Sequence, residues 1–237
     1  MAAAILSTTA ASNAIIIAFE DFEDNTTLFT SSNGLFHDGS NDYFHITPLN
    51  GPAGGTGGPS AGFAFTGFNG THFFGAEDID DGGTRPSQQT LTFTVGITGF
   101  ENITVSTLFA AGGNDATPGY DSNDGYLMRA SIDGNPFQNL LAFEATGTTN
   151  QPLTRDTDFD GTGDGPAIDH NFLTYGGLAI AGIGNVLTLE IIIDSNDGSG
   201  EFAFDDVIIE GDFLIPEPST GLLALAGAAL LFGRRRK

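Results

Sequence analysis

The feature that most constrains this chain is its alternation of β-branched or aromatic residues with small polar ones, in short runs. Leu91-Thr92-Phe93-Thr94-Val95 and Ile103-Thr104-Val105-Ser106 alternate apolar and polar side chains with period two. That spacing sends every second side chain to the same face of a strand, and it cannot build the apolar stripe of a helix. Comparable runs recur along the chain at Ile15–Phe22, Tyr43–Thr47, Phe63–Phe68, Thr71–Phe74, Leu91–Thr98, Ile103–Phe109, Tyr126–Ile132, Phe137–Glu144, Phe172–Ile180, Val186–Ile193 and Glu201–Glu210. Clusters of Gly, Asn, Asp and Pro separate them, as turns do in an antiparallel sheet. Asn69-Gly70 and Asp133-Gly134 fit tight hairpin turns. In the last run the apolar parity shifts between Phe204 and Val207, so a β-bulge is expected at Asp205-Asp206. The expectation is all-β: an antiparallel β-sandwich of jelly-roll type, followed by a short C-terminal hydrophobic helix.

The C-terminal end departs from this pattern. Pro216-Glu217-Pro218 stops any strand, because proline cannot donate to a ladder. After Ser219 and Thr220, both good helix N-caps, comes an apolar run from Gly221 to Gly233 containing Leu222, Leu223, Leu225, Leu230, Leu231 and Phe232. Arg234-Arg235-Arg236-Lys237 closes the chain. A cationic cluster after an apolar helix stays at the phosphate layer while the helix enters lipid. Thirteen helical residues span about 20 Å, short of the roughly 20 residues a bilayer core needs, so snorkelling arginines would help bridge the remainder.

This order of three elements resembles the PEP-CTERM sorting signal of Gram-negative bacteria. The resemblance implies export, transient lodging in the inner membrane, processing near Pro216-Glu217-Pro218 by an exosortase-type peptidase, and delivery to the cell surface or extracellular matrix. It divides the chain into a signal-peptide remnant (1–14), a sandwich (15–213) and a sorting segment (214–237). At the other end, Ser12-Asn13-Ala14 has the small-x-small spacing of a signal-peptidase site, yet no Lys or Arg precedes Arg85. Either the signal is atypical or Met1 lies downstream of the true start, and the second reading is favoured.

Charge narrows the function. Residues 1–215 carry 29 Asp and Glu against Arg85, Arg129 and Arg155, a body charge of about −26. Such a surface offers nothing to neutralise phosphates, so nucleic acid is excluded as a partner. The chain has no cysteine, which removes disulfides, thiol catalysis and Cys-based zinc sites. It has no Gly-x-Ser-x-Gly elbow, and its four histidines have no zinc-ligand spacing. A non-enzyme is expected. Gly51–Ser60 reads as a surface loop and lacks the Lys-Ser/Thr of a phosphate-binding loop.

Two constellations suit a hard cation such as Ca²⁺. Asp156, Asp158, Asp160 and Asp164 lie in a glycine-punctuated loop whose alternate carboxylates can converge. It opens like an EF-hand loop but has Ala167 at the twelfth position, where that motif requires a bidentate Glu. A solvated acidic turn is the competing reading. The second lies at the chain ends, in Phe19-Glu20-Asp21-Phe22-Glu23 and Phe204-Asp205-Asp206-Val207. These resemble the ends of carbohydrate-binding modules of the galactose-binding-like jelly-roll type. That resemblance implies Glu23 (or Glu20) and Asp205 as ligands of a structural calcium joining first and last strands. The expectation is an exported, surface-sorted matrix protein, and it is the resemblance to PEP-CTERM proteins that implies an association with exopolysaccharide and biofilm. A polysaccharide-binding module, or a calcium-dependent hydrolase, is the alternative.

Overall fold

A computed structural model of the protein describes residues 14–24, 27–37, 42–48, 65–80, 83–113, 119–196, 198 and 200–214. Residues 1–13 of the signal-peptide remnant, the loop Gly51–Ser60 and the tail from Ile215 onward lie outside the described residues.

The described chain is an antiparallel β-sandwich, as the alternation predicts. Its strands are β1 (Ile15–Glu20), β2 (Phe29–Ser31), β3 (Phe36–His37), β4 (Tyr43–Pro48), β5 (His72–Glu77), β6 (Gln88–Gly96), β7 (Phe100–Gly113), β8 (Gly125–Ile132), β9 (Gln138–Ala145), β10 (Leu153–Asp156), β11 (Leu173–Ala179), β12 (Val186–Asp194) and β13 (Gly200–Phe213). One sheet runs β11-β7-β13-β5-β4-β3, with β1 also paired to β13; the other runs β10-β9-β8-β12-β6-β2. In β6, Leu91 and Phe93 point inward opposite Ile191 and Leu189 of β12, while the threonines between them face out.

A ladder of phenylalanines fills the space between the sheets. Phe74 is central: its ring lies 4.8 Å from Phe44, 4.9 Å from Phe204 and 5.8 Å from both Phe22 and Phe29. A second, smaller cluster of Phe65, Phe73, Ala110, Phe172 and Ala203 covers the outer face of the seven-stranded sheet. β5 is therefore buried on both faces, which explains why His72–Glu77 lacks alternation.

The bulge expected at Asp205-Asp206 is present. The register of β13 against β7 shifts between Asp205 and Ile208, and Asp206 takes φ 48°. Before the bulge β13 pairs with β5, and after it with β1, so these strands follow one another along the same flank of β13. Asp133-Gly134 forms the expected hairpin turn between β8 and β9, with φ of 51° and 74°.

Three expectations are corrected. Of the run Phe63–Phe68, the described part is no strand: Thr66 makes an isolated bridge to Asn171, while Phe65 and Phe68 pack their rings against Phe73 and Phe172. Apolar residues there cover a sheet face and do not extend a ladder. Asn69-Gly70 consequently joins no hairpin, although Gly70 does take positive φ, at 69°. The first strand ends at Glu20, because Phe22, at φ 55°, turns its ring down into the core.

Candidate cation sites

The Asp-rich loop follows β10. Asp156, Asp158 and Asp160 bring carboxylate oxygens within 4.8 Å of one another, Asp156 buried and the other two exposed. Asp156 shapes the loop: Oδ1 accepts the Phe159 N–H at 2.7 Å and Oδ2 that of Gly161 at 2.9 Å. Asp164, the fourth expected ligand, is outside this group. Its carboxylate turns back to Thr157, accepting the backbone N–H and the hydroxyl at 2.9 Å each, and those bonds hold it below the usual carboxylate range. Gly163 is required here, since a Cβ would lie 1.9 Å from Thr154 Oγ1 and 2.4 Å from the Glu144 carbonyl oxygen. The charge of Asp160, beside it, raises the carboxyl of Asp158.

The chain ends form a separate knot. Glu20 Oε1 and Oε2 accept the N–H groups of Phe22 at 3.1 Å and Leu28 at 2.7 Å. Glu23 Oε1 accepts those of Thr71 at 2.6 Å and His72 at 2.7 Å, and Oε2 accepts the Thr71 hydroxyl at 2.8 Å. A Cβ on Gly70 would stand 2.2 Å from Glu23 Oε1, so glycine makes this approach possible. Asp205 Oδ2 accepts the Asn69 N–H at 3.0 Å, while Oδ1 accepts that of Asp206 at 2.8 Å. The 69–72 segment thus bridges the residues after β1 to the bulge of β13.

The two carboxyls respond oppositely. At Glu23 desolvation opposes ionisation, but the His72 and Thr71 bonds outweigh it and lower the carboxyl to about 2. At Asp205 burial dominates and raises the carboxyl to about 7, despite the Asn69 and Asp206 amides. Glu20 is raised for the same first reason, burial. Glu23 and Asp205 are thus joined through the 69–72 segment, whereas Glu20 turns to the Phe22 and Leu28 amides, and the three carboxylates do not converge as those of Asp156, Asp158 and Asp160 do.

Sequence reasoning missed other buried acids. Glu144 on β9 is raised to about 7 by burial and then by the charges of Asp156, Asp194 and Asp124. Its carboxylate occupies the space a side chain at Gly125 would fill. Glu77 and Glu201 are fully buried. Their only signal in the sequence is an acid inside an otherwise apolar or small stretch, Phe-Phe-Gly-Ala-Glu77 and Gly-Glu201-Phe.

The last strand ends at Phe213, and residues 214–237 match the model of the PEP-CTERM protein-sorting motif. The chain carries a PEP-CTERM sorting signal. A PEP-CTERM motif marks its chain for export and for sorting through a membrane-anchored stage. No curated protein matches this chain. Among solved structures it is similar to the K2 cleaved adhesin domain of Lys-gingipain, with TM-score 0.43 and 13% identity over 81% of this chain and 96% of that one. A xylan-binding domain from CBM 22 gives TM-score 0.40 and 7% identity, covering 88% and 100%. The CBM2 module of the evolved Dit of Lactobacillus casei BL23 phage J-1 gives TM-score 0.41 and 11% identity, covering 87% and 100%. Similarity at this level carries no ligand or site residue over to the PEP-CTERM chain.

Proposed function

We propose that this chain is a non-enzymatic structural component of a Gram-negative extracellular matrix, exported, sorted through its tail and stabilised by calcium. The observation that carries this reading is the direct passage from the last strand, β13, into the sorting motif at residue 214. Such an arrangement delivers the sandwich, and the chemistry argued for is that of its surface. Exopolysaccharide of the matrix is the surrounding such a domain would meet, and an exosortase-type peptidase its processing partner.

Tyrosine placement favours a structural role over a sugar-binding one. Tyr43, Tyr120 and Tyr126 are buried and Tyr175 is half-buried, so none of the four tyrosines stands open as a stacking platform for a sugar ring. The hydrolase alternative gains nothing from Glu77 and Glu201, because neither is exposed to a substrate. A glycan array run with and without calcium separates these readings: saturable, calcium-dependent binding of one glycan class would replace the structural role with a polysaccharide-binding one.

Calcium is proposed for the Asp156–Asp160 loop and for the chain ends, at Glu23 (or Glu20) with Asp205. Like charges a few ångströms apart repel by about 1 kcal/mol even at water's dielectric, and a bound cation reverses that term. Binding adds about 2.7 kcal/mol at a hundredfold excess over Kd. For a domain of this size, chelation should therefore lower Tm by roughly 5–10 °C. The double substitution Asp158→Ala, Asp160→Ala should remove much of the loop's share. Superimposed melting curves in millimolar calcium and in excess chelator would contradict the calcium reading.

pH gives a second handle. A raised carboxyl means that the folded state holds a proton the unfolded chain releases. Its contribution is complete below the unfolded value near 4 and is lost as pH rises through about 7 for Glu144 and Asp205. Glu23, lowered to about 2, acts in the opposite sense and matters only below about 4.5. In excess chelator the sandwich should melt higher at about pH 5 than at about pH 8, with calcium narrowing the gap. Equal or higher Tm at the alkaline end without calcium would overturn this account of the buried acids.

A further inference from the structure

Six of the twelve large apolar side chains exposed among the described residues share one end of the sandwich: Ile15, Ile16, Ile183, Val186, Phe213 and Leu214. Strand pairing puts them there. Ile15, at the start of β1, lies opposite Gly211, two residues before Phe213 at the end of β13. The Leu214 N–H donates to the Gly99 carbonyl oxygen, in the turn between β6 and β7, at 2.8 Å. In the same turn the Ile97 N–H donates to the Asn185 carbonyl oxygen at 2.8 Å, beside Val186 at the start of β12. Ile183 stands in the connection from β11 to β12 that closes this end, and it is 63% exposed. Phe213 is 56% exposed, with its ring stacked on Phe100 at 4.7 Å.

The opposite end is acidic. Asp78, Asp80, Asp121 and Asp124 lie there, where the Ile79 N–H donates to Ser195 and the Asn196 N–H to Asp124. β13 has 14 residues and runs from one end to the other, so the two stand about 45 Å apart. Clustered apolar side chains held in water mark a surface that another apolar phase covers. Where the chain goes next says which phase. Leu214 is the first residue of the sorting motif, 214–237, whose apolar run begins at Gly221. Seven residue steps separate the two, at most about 25 Å even when fully extended. With that run in lipid, the apolar rim is within reach of the headgroup layer.

We propose that this rim seats on the membrane surface, burying its apolar side chains among zwitterionic headgroups and standing the sandwich upright with its acidic end in water. The seat rests on the membrane-anchored stage that the sorting motif marks. Glu101, Glu210 and Asp212 flank the rim, since Glu210 pairs with Ile16 and Asp212 with Glu101. Asp133 accepts the Asn185 and Val186 amides beside it. Those acids set the lipid class, because a strongly anionic surface would repel them. Seating also fixes the height of Pro216-Glu217-Pro218, two residues beyond Leu214, above the membrane.

The full chain in phosphatidylcholine vesicles tests this by lipid quenching. The chain has no cysteine, so Ile183→Cys or Ser122→Cys carries one fluorophore, at the rim or at the acidic end. Nitroxide-labelled phosphatidylcholine should quench the probe at position 183 strongly and leave the probe at position 122 unchanged. Adding Ile16→Asp and Phe213→Asp to the chain labelled at 183 should reduce the seated population roughly tenfold or more, while the chain still floats with the vesicles. Should that variant fail to fold, the two probes in the parent chain decide alone. A floating chain with equal quenching at both probes, or none at position 183, overturns the seat and leaves the anchored stage standing. Quenching undiminished in a folded double-aspartate variant overturns it as well. A chain that does not float contradicts the seat and the anchored stage together. Dimerisation in detergent that Phe213→Asp abolishes, with the probe at 183 unquenched by lipid, would give the rim to a second copy and overturn the proposal.

Discussion

Phe74→Ala should cost about 3–5 kcal/mol, the range for truncating a buried aromatic residue. Its ring touches those of Phe22, Phe29, Phe44 and Phe204, which come from four different segments of the chain. No single neighbour can collapse into the space left behind, so the cost should sit toward the upper end. For a domain of this size the loss corresponds to a Tm fall of roughly 6–20 °C. It is also a large share of the 5–15 kcal/mol a folded domain typically holds, about enough to bring the sandwich near its unfolding threshold at growth temperature. Phe159→Ala is the control: Phe159 is 38% exposed on the aspartate loop, and its truncation should stay within about 0.5 kcal/mol. Thermal melts of the two variants in calcium decide the matter. Equal shifts would mean that the phenylalanine ladder is not what holds the sheets together.

The sheets were legible where one face is wet. Leu91–Val95 alternates because its threonines meet solvent, and the parity break at Asp205-Asp206 announced a bulge that the register of β13 displays. Legibility failed where the pattern is too short or both faces are dry. β2, β3 and β10 have three, two and four residues, too few for a period to emerge. Phe63–Phe68 reads as a strand because burial and ladder pairing leave the same apolar mark; its described part, 65–68, packs over the sheet face with a single bridge at Thr66.

The sites divide on similar lines. Asp156, Asp158 and Asp160 are neighbours in sequence, so their convergence could be read directly, whereas the retreat of Asp164 to Thr157 depends on how the loop closes. Glu23 and Asp205 were paired through a family resemblance, and the segment that links them, Asn69–His72, carried no signal of its own. Glu77 and Glu201 could not be paired in advance, because only the register of β5 against β13 makes them neighbours.

The remaining large effect concerns where the protein goes. Residues 214–237 match the sorting motif, and within them Arg234, Arg235, Arg236 and Lys237 are the cationic end expected to stay at the phosphate layer. Each cation near an anionic membrane surface contributes about 1 kcal/mol, so neutralising all four removes roughly 4 kcal/mol of retention, several hundredfold in partition. The sandwich itself should be untouched, with an unchanged melt, because its last strand ends before the motif begins. The decisive measurement is fractionation of cells producing the wild-type chain or a chain with residues 234–237 replaced by neutral residues, with intact mass of the protein in each fraction. Wild-type protein should appear at the surface or in the matrix, its mass showing loss of the segment beyond Pro216-Glu217-Pro218, while the neutralised chain should be depleted there and keep its tail. Matching surface fractions and matching masses for the two chains would contradict the sorting account.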